Sequence, residues 1–231
     1  MWRPILMILC FATGMSFGRD APAFSLDIRT SPENQLDVSL VIQQSSLTLK
    51  NSTDSLATDF SGIGFRLIDV PPRLPLQLGL AAGYTFIDQQ VISGLNNNNL
   101  GGGYISFLSR VVLFDSGRWS SNFLASYSYL VAQNNSDTQK TRIRWHHTRT
   151  EVNINYVLAS YLSTTLGGVY GYVDAKLSGS GDKELTVNLK TRRRPAGIVG
   201  LSYLIGNDQK VAVQFQRGYV DKFLVQFQRT F

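Results

Sequence analysis

The stretch from Thr150 to Leu158, "TEVNINYVL", places Val152, Ile154, Tyr156 and Leu158 at every second position, with Glu151, Asn153 and Asn155 between them. A period of two is that of a β-strand, whose side chains point alternately to opposite faces of a sheet. Working outward, the pattern recurs at 35–43 ("QLDVSLVIQ"), 62–68 ("GIGFRLI"), 75–86 ("PLQLGLAAGYTF"), 104–114 ("YISFLSRVVLF") and 119–131 ("WSSNFLASYSYLV"). It continues at 162–173 ("LSTTLGGVYGYV"), 196–205 ("AGIVGLSYLI"), 210–216 ("KVAVQFQ") and 223–231 ("FLVQFQRTF"). Ten strands suit an antiparallel up-and-down barrel, which needs an even number. Eight is the alternative, should the 210–231 hairpin or the 24–49 region be read otherwise.

Composition says what surrounds the barrel. Charged residues are only 16% of the 231, where a soluble domain carries about 25%. No apolar run of the ~18 residues needed for a helical span occurs past the first twenty residues. The polar face of the strands is mostly Gly, Ser, Asn, Gln and Thr, which suits a crowded lumen. Aromatics near strand ends, among them Trp119, Tyr127, Tyr129, Tyr156, Tyr161, Tyr170, Tyr172 and Tyr203, suit the interfacial girdles of a transmembrane barrel. Residues 1–18 read as a signal peptide: Met1-Trp2-Arg3 begins it, an apolar core follows, and small residues offer cleavage after 18 or after 23. Residues 19–231 are then one barrel domain. The single cysteine, Cys10, lies in that leader, so the remainder has no disulfide or thiolate metal site.

The breaks alternate in length. Those at 50–56, 88–100, 132–146 and 176–195 are long or polar; "DVPPRLP", "DSGR", "ASY" and "GNDQ" are tight. Short turns on one side and longer loops on the other imply both termini in the periplasm and the long loops outside.

Signal peptide, strand pattern and terminal "FLVQFQRTF" together resemble the small outer-membrane β-barrel proteins of Gram-negative bacteria. The resemblance implies a bacterial outer-membrane location. It also implies that Phe223, Val225, Phe227 and the final Phe231 are the address read by the barrel-assembly machinery. Arg229 departs from the pattern, standing on the lipid-facing parity where an apolar residue is usual.

Two basic clusters stand out, one with Lys140, Arg142, Arg144 and Arg149, the other with Lys190, Arg192, Arg193 and Arg194. Guanidinium groups bind phosphate bidentately, and on the topology above both clusters occupy outer loops. The expected partner is lipopolysaccharide, with a structural or surface-interaction role for the protein. Nucleic acid is not expected, because the net +6 is modest and belongs to an exported chain. Arg66, Arg110 and Glu151 have inward parity and should form ion pairs in the lumen, since isolated charges there are costly. That leaves a narrow porin for small solutes as the alternative function. A lipid-modifying hydrolase at the rim comes third: His147 and Glu151 share a face but lie about 13 Å apart along the strand, and Ser126 and Ser128 form no known motif with them. The expectation is a monomer that is not an enzyme, with no cofactor and no metal.

Overall fold

The computed structural model describes residues 35–51, 55–71, 75–89, 99–135, 139–181, 184–191, 194–206 and 208–231. The expected signal peptide, Arg192 and Arg193 lie outside the described residues. Eleven antiparallel strands form one sheet: β1 (Gln35–Lys50), β2 (Ser55–Val70), β3 (Leu76–Gln89), β4 (Leu100–Ser116), β5 (Trp119–Asn135), β6 (Gln139–Ala159), β7 (Leu162–Gly181), β8 (Leu185–Thr191), β9 (Arg194–Ile205), β10 (Gln209–Arg217) and β11 (Val220–Thr230). The sheet closes where β11 pairs with β1, from Asp37 opposite Thr230 to Leu47 opposite Val220. Leu36 and Phe231 exchange backbone hydrogen bonds of 3.1 and 3.0 Å at the seam. Closure removes the unpaired edges, a liability in water and excluded in lipid. The end holding Gln35 and Thr230 is here the terminal rim, the opposite end the far rim.

The ring changes its strand number along its length. β8 and β9 lie one after the other on the same edge of β7, Arg194 opposite Gly171 and Lys190 opposite Asp174. Between those two pairs the register on β7 shifts by one residue. Towards the terminal rim β9 pairs with β10, β10 with β11 and β11 with β1, so ten strands encircle the lumen. The β10–β11 hairpin turns early, at Gly218 and Tyr219. Beyond it β8 reaches β1 directly, Thr191 opposite Leu49 and Lys190 opposite Lys50, and eight strands close the far part.

The hairpin tip is fitted closely. A Cβ on Gly218 (φ +154°) would lie 2.5 Å from the Ala196 Cα, and one on Gly171 would lie 2.1 Å from the Tyr219 hydroxyl. Glycine at these two positions lets the tip press against β9 and lets the Tyr219 ring turn into the barrel.

Side-chain chemistry inverts along the strands while their parity does not. On β1 the outward residues run Leu36, Val38, Leu40, Ile42, then Gln44, Ser46, Thr48, Lys50; inward run Asp37, Ser39, Val41, Gln43, Ser45, mostly polar, then Leu47 and Leu49. On β6 the outward run from the far rim is Lys140, Arg142, Arg144, His146, Thr148, Thr150, then Val152, Ile154 and Leu158. The terminal half is therefore apolar outside and polar inside. The far half has the reverse order, as in a water-soluble barrel.

That reversal explains why the expected long connections at 132–146 and 176–195 are largely strand among the described residues. Leu49, Ile143, Val173, Leu177 and Leu189 fill the narrower eight-stranded interior, each fully buried. Burial of each contributes about 1.5–3 kcal/mol, and this holds the extended strands together above the belt. The belt is of membrane width. Tyr156, in the lower aromatic row beside Trp119, and His146, in the upper, are ten residues apart on β6. That is about 34 Å of strand, or roughly 25 Å along the axis at the usual tilt.

Candidate functional site

The far half carries a cationic collar. Tyr127, Tyr129, Tyr170 and Tyr172 form an outward aromatic girdle around β5–β7, since Tyr127 and Tyr172 flank Thr148, Tyr129 flanks His146 and Tyr170 flanks Thr150. The Tyr127 hydroxyl and His146 Nδ1 lie 2.6 Å apart. One row beyond, Arg144 stands directly opposite Lys176. Arg142 and Lys140 follow on β6, and at the seam Lys190 lies between Asp174 and Lys50. Like charges directly opposite on a sheet face oppose folding, and two such pairs occur here. The collar is one-sided, because on the far wall Asp59 faces Asp88.

Several expected site residues are repositioned. Lys140, Arg142, Arg144 and Lys190 project from strands and not from loops. Arg149 points inward: its Nη2 donates to Glu151 Oε2 and its side chain is 12% exposed. It cannot join the outward row, because it has the opposite parity to Thr148 and Thr150 on either side of it. Arg194 is exposed at the start of β9. Lys176 and Lys50 were missed, because the segments carrying them looked like loops. The signal for Lys176 was the alternation "VDAKLS" (173–178), with Val173, Ala175 and Leu177 on one face, and for Lys50 the alternation of Leu47 and Leu49 with Thr48 and Lys50.

The lumen at belt level holds two polar groups. Near the terminal rim Arg110 Nη2 donates to Asp37 Oδ2 at 3.2 Å and Arg110 Nε to Gln77 Oε1; Thr230 Oγ1 donates to Asp37 Oδ1 at 2.7 Å. Deeper lie Arg66, Arg149, Glu151 and Lys222, around a cavity of about 150 Å³ that Tyr104, Ser126, Ser128, His147 and Tyr219 also line. The carboxylate of Glu151 accepts from Arg149 on one oxygen and from Asn153 Nδ2 on the other. Glu151 thus pairs along its own strand, not with Arg66 or Arg110. Ser106 Oγ donates to Ser128 Oγ at 2.7 Å, and His147 Nε2 meets the Tyr219 hydroxyl at 3.0 Å. These contacts join no serine to His147 and no carboxylate to it, so the described residues hold no Ser–His–acid relay.

Above the cavity the passage is stopped. The Tyr219 ring, 6% exposed, sits under the buried cluster of Leu47, Leu49, Leu130, Ile143, Trp145 and Leu189. The lumen is closed towards the far rim by apolar side chains, not by an ion-pair gate.

At the terminal rim Arg229 Nε donates to Asp208 Oδ2 at 3.0 Å, and its guanidinium lies 4.9 Å from the centre of the Phe231 ring. An arginine on the outward face is thus held at the terminal rim by Asp208 and Phe231. Phe223, Val225 and Phe227 alternate with inward Lys222, Leu224 and Gln226, and Phe223 packs 4.9 Å from Phe215.

No protein-family model and no curated relative matches this sequence. Solved structures do. An outer membrane channel from Pseudomonas putida F1 is 8% identical, with 89% of this chain and 98% of that one covered and a TM-score of 0.51. The outer membrane protease OmpT from Escherichia coli is 11% identical, with 87% and 95% covered and a TM-score of 0.48. The translocator domain of the autotransporter NalP from Neisseria meningitidis is 10% identical, with 88% and 90% covered and a TM-score of 0.49. At such identities the likeness is one of fold, and the first of the three carries it.

Proposed function

We propose that this chain, which has the fold of an outer-membrane β-barrel, is a surface barrel whose cationic collar grips the phosphates of outer-leaflet glycolipid. One observation supports this above the rest: Arg144 and Lys176 oppose each other one row beyond the tyrosine girdle. That is the depth at which lipid headgroup phosphates lie, and an anion laid across two opposed cations turns their repulsion into attraction. Arg142, Lys140, Lys190 and Lys50 extend the grip, with Arg192–Arg194 expected to add to it. On this reading both chain ends are periplasmic, the far rim is extracellular and the barrel works as a monomer. Its role is structural or surface-interacting, not transport. Phe223, Val225, Phe227 and Phe231 then serve as the signal to the assembly machinery.

The test reconstitutes the barrel in phosphatidylcholine nanodiscs containing a small fraction of diphosphoryl lipid A, extracts it in mild detergent and quantifies the lipid A that stays bound. Wild-type protein should retain diphosphoryl lipid A and lose it when that lipid is dephosphorylated. Arg144→Gln with Lys176→Gln should lose most of that retention. Equal retention of phosphorylated and dephosphorylated lipid would end the proposal.

A further inference from the structure

We propose that the luminal cavity bounded by Arg66, Arg149 and Lys222 is a binding site for a small oxyanion. It is separate from the collar, which lies on the outer face, and does not rest on the glycolipid reading.

The first argument is charge. Three cationic side chains line the cavity and one carboxylate, Glu151, accompanies them. Both oxygens of that carboxylate are already engaged, by Arg149 and by Asn153. Among the described residues, no carboxylate lies within ion-pairing distance of Arg66 or Lys222. Asp37, the other inward carboxylate, is held by Arg110 and Thr230 nearer the terminal rim. Buried cations without a counter-charge are costly, and water satisfies their N–H groups without neutralising them.

The second argument is unfilled donors. Arg66 Nε and Arg149 Nε are buried with no hydrogen-bond partner among the described residues. Guanidinium donors in a fork match the paired oxygens of phosphate, sulfate or carboxylate better than a spherical halide. Ser126 lines the same space, as does the amide of Gln214, and these supply neutral donors of the kind that complete an oxyanion's shell.

The third argument is room and access. About 150 Å³ is on the order of ten times what one water requires, which suffices for a tetrahedral anion and a few waters. The roof of the cavity is Tyr219 and the apolar cluster above it, so an anion enters from the terminal rim. There Lys210 on β10 and Arg110 on β4 face inward and would draw a negative charge past Asp37.

Calorimetric titration of the folded barrel in detergent with inorganic phosphate, at constant ionic strength, tests the site. Saturable one-to-one binding that sulfate displaces is expected. Arg66→Gln and Lys222→Gln should each weaken it at least tenfold, while the collar pair Arg144→Gln, Lys176→Gln should bind as wild type does. Absence of saturable binding overturns the proposal, as does binding that both luminal variants retain or that the collar variant abolishes. Folding of each variant is followed by heat-modifiable gel migration. Should Arg66→Gln not fold, Lys222→Gln decides the matter alone, and unchanged affinity there overturns it.

Discussion

The Tyr219 hydroxyl lies 3.0 Å from Nε2 of His147, with the two rings edge to face at 6.0 Å between centroids. The contact joins the tip of the β10–β11 hairpin to the middle of β6, across the level where ten strands give way to eight. It also divides the lumen into a polar cavity on one side and a dry core on the other.

Truncating this divider separates packing from hydrogen bonding. Tyr219→Phe removes a neutral hydrogen bond and should cost about 1 kcal/mol. Tyr219→Ala leaves a hole under the apolar cluster and should cost about 3–5 kcal/mol, as large-to-small aromatic changes do. Urea unfolding followed by gel migration distinguishes the two, and equal losses would show that the ring packs little.

The glycine beneath that ring is equally exposed to test. Gly171→Ala puts a methyl 2.1 Å from the Tyr219 hydroxyl oxygen and 2.3 Å from its Cζ. The tyrosine must leave its seat, so the Ala variant should approach Tyr219→Ala in stability, and the two changes together should be less than additive.

Conductance in a planar bilayer should be absent for the wild type, because Leu49, Ile143, Leu177 and Leu189 fill the far lumen. Neutralising Arg110 or Glu151 should not open a channel, since neither forms the block. Ile143→Ala with Leu177→Ala should lower stability by several kcal/mol before any steps appear. Stable steps from wild-type protein would favour a narrow porin.

Glu151→Gln should be among the most damaging single changes in the belt-level lumen. It leaves Arg149 buried without its carboxylate, a loss of about 3–5 kcal/mol for broken buried pairs. Asp208→Ala removes the partner of Arg229 at the rim, where the two side chains are 54% and 43% exposed. Exposed pairs contribute about 0–1 kcal/mol, so that variant should unfold with the wild type.

Salt should weaken the collar more than the cavity. Lipid A retention through Arg144 and Lys176, both in contact with water, should fall between 50 mM and 500 mM sodium chloride as screening shortens. Affinity that holds constant across that range would point to apolar contacts with the acyl chains instead.

The sequence by itself determined the barrel and its apolar belt. Val152, Ile154 and Leu158 alternate with polar neighbours because one face of the strand is apolar and the other lines a polar lumen, and that constraint is local enough to read two residues at a time. The inward parity of Arg66, Arg110 and Glu151 and the outward parity of Phe223, Val225 and Phe227 were legible for the same reason. Where the apolar belt ends, the alternation keeps its period and exchanges its faces. Read one residue at a time, "KTRIRW" (140–145) looks like a basic loop, and only the buried neighbours of Ile143 and Trp145 reveal a strand. Arg149 was misplaced with it, and Lys176 and Lys50 were passed over. Only the tertiary structure decided that β8 meets β1 beyond a short hairpin, that Tyr219 and a dry core close the lumen, and that Arg66 and Lys222 share a cavity with one occupied carboxylate. Those facts depend on which strands lie across the ring from one another, and contacts between residues 72 or 187 positions apart, such as His147 with Tyr219 or Ser39 with Gln226, leave no periodic trace in the chain.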